Sequence, residues 1–94
     1  MHFEWDPRKD RKNTYGNRKL RFEEAKAVFY DPFAIYEPDP DHGERTRIIG
    51  RSGPERVLFV VYADLSEEEY DIIRIISVRK ATTQERRKYE HGDE

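Results

Sequence analysis

The chain has 94 residues, 40% charged and 35% hydrophobic, with a formal net charge of −2. That length fits one domain with one core, residues 1–94, and the absence of cysteine excludes a disulfide framework and thiolate chemistry. No stretch approaches the roughly 20 apolar residues of a membrane span, and the N-terminus lacks the apolar core of a signal peptide, so a soluble cytoplasmic protein is expected.

His2-Phe3-Glu4-Trp5 alternates polar and apolar residues, as a short half-buried strand does. Asp6-Pro7 then starts a helix, with aspartate as N-cap and proline at the first helical position. This helix, to about Asn13, carries no apolar stripe and is expected to be mostly exposed, and residues 13–17 break it. Phe22, Ala25, Val28 and Phe29 recur at helical spacing, a stripe that packs on a sheet, and Asp31-Pro32 stops the helix because the residue before proline avoids the α region.

Four strands are predicted next. Phe33 to Glu37 alternates, and Arg45 to Arg51 places Arg45, Arg47, Ile49 and Arg51 on one face. Val57 to Tyr62 is apolar on both faces and belongs at the centre of a sheet. Residues 52–55 form a turn, and the acidic run 65–69 leads to the last strand. There, strict alternation groups Arg74 with Ile72, Ile76 and Val78, so its charge needs a partner, such as Glu24, or a wet groove. Thr82 and Glu85 fit a capping box that starts a C-terminal helix, which His91-Gly92 can end. The order β-α-α-β-β-β-β-α predicts an α+β domain with helices packed on an antiparallel sheet.

The modest net charge conceals segregation. Arg8, Lys9, Arg11, Lys12, Arg18, Lys19 and Arg21 face Asp10 alone, while Arg74, Arg79, Lys80, Arg86, Arg87 and Lys88 face only Glu85. Local fields rather than net charge steer a polyanion, although each run also reads as a solvated face. Guanidinium groups at a strand end, beside a helix bearing Arg86 and Tyr89, suit an RNA phosphate, because the fixed fork of arginine meets two phosphate oxygens at once. Tyr89 lies three residues after Arg86, on the same helix face. It can stack on a base or donate a proton, or simply pack against Phe29 or Trp5. The Asp39-Pro40-Asp41-His42 run is a weak metal signal, and no metal or cofactor is expected. No side chain stands out as a general base.

Seven ordered blocks bear a resemblance to a known family. They are Phe3-Glu4-Trp5-Asp6-Pro7, Phe22-Glu23-Glu24-Ala25, Val28-Phe29-Tyr30-Asp31-Pro32, Asp39-Pro40-Asp41-His42, Ile49-Gly50-Arg51-Ser52, residues 73–82, and Glu85-Arg86-Arg87-Lys88-Tyr89-Glu90. In these the chain resembles BrnT toxins, over nearly its whole length. The resemblance implies a RelE-like fold and a metal-independent endoribonuclease of a type II toxin–antitoxin pair, inhibiting translation and growth. It also implies neutralisation by a BrnA-like antitoxin whose ribbon-helix-helix part binds operator DNA. Arg79, Arg86, Tyr89 and Arg74 are the candidate catalytic residues, and Lys80, Lys19, Arg21, Arg47 and Arg56 the candidate RNA-binding ones. Residues 15–21 stand where such toxins usually carry Lys-His-Gly-Val-Ser, with Lys19 as the lysine and no histidine. A catalytically weak or inactive member that binds RNA or an antitoxin, or acts as a co-repressor, is the alternative.

Overall fold

In the computed structural model, which describes residues 1–92, five strands form one sheet in the order β1-β5-β4-β3-β2. The strands are β1 (His2–Glu4), β2 (Ile35–Pro38), β3 (Arg45–Gly53), β4 (Arg56–Asp64) and β5 (Ile72–Lys80). The helices are α1 (Pro7–Tyr15), α2 (Phe22–Ala25), continued by a 3₁₀ segment over Lys26–Tyr30, and α3 (Thr83–His91). The α+β order holds, and β4 is central, but the sheet is mixed rather than purely antiparallel. β1 lies parallel to β5, pairing His2, Phe3 and Glu4 with Ile72, Ile73 and Arg74. Parallel pairing needs a long crossover. Here everything between residues 4 and 72 supplies it.

One face of the sheet carries the main core. Ile48 from β3, Leu58, Val60 and Tyr62 from β4, and Ile73, Ile75 and Val78 from β5 pack against Leu20, Phe22, Ala25 and Val28. The helical stripe beginning at Phe22 therefore does pack on the sheet, though it changes from α to 3₁₀ at Lys26. A Cβ on Gly50 would come within 2.9 Å of the Val28 Cβ, so glycine lets the 3₁₀ segment sit directly on β3. The opposite face carries a smaller cluster of Ile49, Val57, Phe59 and Tyr89, under α3.

The alternation predicted along β5 fails at one point. Val61 pairs with Ser77 but Tyr62 pairs with Ile75, which leaves Ile76 as the extra residue of a bulge. The bulge reverses the parity, so Ile73, Ile75 and Val78 all reach the main core. Arg74 and Arg79 consequently share the other face, where straight alternation would have separated them. The starts of α1 and α3 follow their predicted chemistry, whereas α2 begins without a side-chain cap. Asp6 accepts from the Arg8 amide at 2.9 Å, with Pro7 at the first position, and Thr82 and Glu85 close a reciprocal capping box. Gly92, at φ 69°, terminates α3.

α1 runs two residues beyond its predicted end. Its one buried residue, Asn13, explains the extension: the side-chain amide donates to the Leu20 carbonyl at 2.6 Å, folding residues 16–20 back along the helix. Asp10 accepts from the Phe22 amide at 2.8 Å and so joins α1 to the start of α2. Lys19 takes the left-handed conformation, at φ 51°, within this turn. Among the described residues no helix is long and apolar enough to cross a membrane.

Candidate functional site

Between α1 and the bulge of β5 lies a cleft of about 630 Å³, lined by Lys9, Lys12, Asn13, Arg18, Arg45 and Ser77 among others. Phe22 and Ile76 supply apolar floor. Four cations and no carboxylate line it, so its charged lining is entirely positive. Asn13 builds the cleft as well as the turn: its side-chain oxygen accepts from Arg18 Nη1 at 3.2 Å, and the same nitrogen donates to the Val78 carbonyl at 3.3 Å. Arg18 thereby ties the α1 turn to the edge of β5 that short β1 leaves unpaired.

On the face of the sheet opposite Phe22, Arg79 sits over Phe59, its guanidinium carbon 4.0 Å from the ring centroid, with Arg47 at 5.7 Å. Arginine stacks well on aromatic faces because its charge is delocalised and weakly hydrated. Glu85 holds the guanidinium end-on, with Nη1 to Oε1 at 2.7 Å and Nη2 to Oε2 at 2.9 Å. Nη1 also donates to the Lys80 carbonyl at 3.2 Å. Five N–H groups minus these three leaves two, on Nε and Nη2. They form the second fork of the group. Arg79 can thus receive one phosphate bidentately without releasing Glu85.

A second cleft of about 280 Å³ gathers Arg56, Lys80 and Arg86 with Glu55, Val57 and Ala81. Arg56 donates to both oxygens of Glu24 at 3.0 Å, and Arg86 reaches the Glu55 carbonyl at 3.3 Å and Glu90 at 3.5 Å. Lys80 is exposed and has no ion-pair partner among the described residues. Arg74 pairs with Glu4 at 3.3 Å, roughly 16 Å along β5 from Arg79 by strand geometry. The partner expected for Arg74, Glu24, instead serves Arg56. Lys19 and Arg21 are exposed on the turn after α1 and line neither cleft.

Tyr89 packs with Ile49, Val57 and Phe59 rather than with Phe29 or Trp5, which belong to the opposite face. Its hydroxyl donates to Asp31 at 2.6 Å, and Asp31 also accepts the amides of Arg51 at 2.7 Å and Phe33 at 2.9 Å. Burial and the Asp31 carboxylate push the phenol pKa up, against the pull of Arg51. For Asp31, partial burial disfavours the charge, but the Tyr89 hydroxyl and the two amides outweigh it and hold the carboxyl below its ordinary 3.8. For Glu85, burial is likewise outweighed by Arg79 and the Thr82 amide, which hold it below 4.5. Carboxyls with depressed folded values stabilise fully above their unfolded values and lose that contribution as pH falls through the folded ones. Thermal melts are therefore expected to be level above about pH 5 and to fall steeply below about pH 4, and Asp31→Asn is expected to flatten that fall.

Sequence reading picked out Arg79 and Arg47, but its candidate sites passed over Arg18 and Arg45, whose place depends on α1 meeting β5. The available signal was the nearly acid-free run from Arg8 to Arg21. None of His2, His42 or His91 lines either cationic cleft. Among the described residues, no three His, Cys, Asp or Glu side chains gather as a metal site.

The fold and the clefts define a small α+β domain with two cationic clefts. Residues 5–85 match the family described as ribonuclease toxin, BrnT, of type II toxin-antitoxin system. The crystal structure of the Brucella abortus ribonuclease toxin BrnT is similar, with a TM-score of 0.69 and 20% sequence identity over 88% of this chain and 99% of that one. No match was found among curated proteins. The chain belongs to the BrnT family of ribonuclease toxins of type II toxin–antitoxin systems. That membership implies an RNA substrate and an antitoxin partner.

Proposed function

We propose that the protein is a metal-independent endoribonuclease toxin that draws single-stranded RNA around the β5 edge, from the α1 cleft to the α3 face of the sheet. The observation that carries this is the convergence of Lys9, Lys12, Arg18 and Arg45 on a carboxylate-free cleft at the β5 edge, with Arg79 keeping one free fork on the neighbouring α3 face. The cleft cations hold the backbone, while the Nε and Nη2 donors of Arg79 meet two non-bridging oxygens of the scissile phosphate. The ribose 2′-oxygen attacks phosphorus, its proton leaves to a base, and the bond to the 5′-oxygen breaks as that oxygen takes up a proton. A fixed guanidinium stabilises the extra charge of the phosphorane without reorganising. Arg56, Lys80 and Arg86 offer a further anionic contact for the strand. A BrnA-like ribbon-helix-helix antitoxin would neutralise the toxin by covering this face, and would connect it to operator DNA.

A binding-only protein is the second reading, favoured by two observations: no histidine lines either cleft, and Arg79, Arg56 and Arg74 are each already paired to a carboxylate. Tightly induced expression, followed by growth and cellular RNA integrity, separates the two. Growth arrest with cut RNA supports the toxin, and normal growth with intact RNA supports the binder. Both readings place RNA on α1. Replacing Lys9 and Lys12 with alanine is expected to weaken binding of an RNA oligonucleotide and to reduce the slope of log K against log salt by roughly 0.7 per cation. An unchanged slope would remove α1 from the interface.

A further inference from the structure

We propose that Glu85 is a positioning residue for the ribonuclease reaction, fixing Arg79 so that its single free fork faces the scissile phosphate. The inference rests on the ribonuclease reading above and adds a role that the family resemblance did not supply.

Three contacts converge on one carboxylate. Oε1 accepts from Arg79 Nη1 and from the Thr82 amide at 2.8 Å, and Oε2 accepts from Arg79 Nη2. The Glu85 amide in turn donates to the Thr82 hydroxyl at 3.1 Å, so the carboxylate sits at the third residue of a capped helix and its backbone cannot drift. From the other side, Phe59 supports the plane of the guanidinium. A planar group clamped along its end-on edge and covered on one face is restricted in rotation. What remains unpaired among the described residues is the Nε–Nη2 edge. An arginine on a strand end would otherwise sample many rotamers, and a misplacement of about 1 Å at a reacting centre can cost about 10²-fold in rate.

Glu85 could instead act only as a helix cap, or as a brake that masks Arg79. Glutamine separates these roles. At the third helical position it still accepts from the N-cap amide, as glutamine does in natural capping boxes. Its amide nitrogen, however, cannot accept from Arg79, so the two-point clamp is broken while α3 keeps its start. Losing the carboxylate also leaves Arg79 more cationic toward RNA.

The test uses the full chain as wild type, Glu85→Gln and Thr82→Ala, with RNA cleavage kinetics, melting curves and the Arg79 Nε–H NMR signal on adding an RNA oligonucleotide blocked at its 2′-hydroxyls. The expected result for Glu85→Gln is a kcat lower by about 10-fold to 10²-fold with KM unchanged or reduced and Tm kept. Thr82→Ala, which weakens the cap alone, should lower Tm and spare kcat. Equal loss of kcat in the two variants would make Glu85 a cap and nothing more, and a higher kcat in Glu85→Gln would make it a brake; either overturns the proposal. If wild type leaves RNA uncut, the ribonuclease reading fails, and the NMR signal judges the clamp by itself. A shift of Arg79 Nε–H on adding the blocked RNA to wild type, lost in Glu85→Gln, supports it; no shift in wild type overturns it.

Discussion

Arg79→Ala is expected to slow RNA cleavage by about 10²–10³, the usual cost of deleting one donor aimed at developing charge. Arg79→Lys should recover little of this. Lysine keeps the charge but has no fork, so it cannot hold Glu85 and a phosphate at the same time. It also lacks the planar face that lies 4.0 Å from the Phe59 ring centroid. Rates measured on a defined oligonucleotide, with melting curves alongside, check the prediction. Wild-type rates in Arg79→Ala would remove Arg79 from the site. Both substitutions leave Glu85 without its partner, so some loss of stability should accompany them, and the comparison belongs below either variant's Tm.

Phe22→Ala is expected to have the largest effect on stability. Phe22 is 2% exposed in the main core, its ring 6.3 Å from that of Trp5, and it also floors the cationic cleft. Truncating a buried phenylalanine costs about 3–5 kcal/mol. That is a large share of the roughly 5–15 kcal/mol that holds a domain folded, and at this size it lowers Tm by roughly 12 °C or more. Circular dichroism melts measure it directly. Phe22→Leu, which refills most of the volume, should recover much of the loss, whereas an unchanged melt in Phe22→Ala would show that the α1–α2 side contributes little to folding.

Much of the fold was legible because local chemistry decides it. Asp6-Pro7, Thr82 with Glu85, and Gly92 fix helix ends through hydrogen bonds a few residues long, and the apolar run from Val57 announces a central strand. What escaped depends on distant residues. The parallel direction of β1 is set by a three-residue pairing with a strand 70 positions away, which leaves no local pattern. The bulge at Ile76 is invisible to strict alternation because an extra isoleucine fits an apolar run equally well. At the site, arginines could be counted but their partners could not. Glu4, Glu24 and Glu85 each capture one of them, and only Glu85 is close in sequence to its arginine. The commitment of Tyr89 to Asp31 likewise joins residues 58 apart.

The pairing of β1 with β5 has a consequence for how the protein is made. The cleft needs α1 together with Ile76 and Ser77 of β5, which are made far later in the chain. A partly synthesised chain that ends before Ile72 has neither the strand that completes the sheet nor the guanidinium fork. Chains terminated before β5 therefore lack the complete site, and any cleavage activity begins only after β5 has been made.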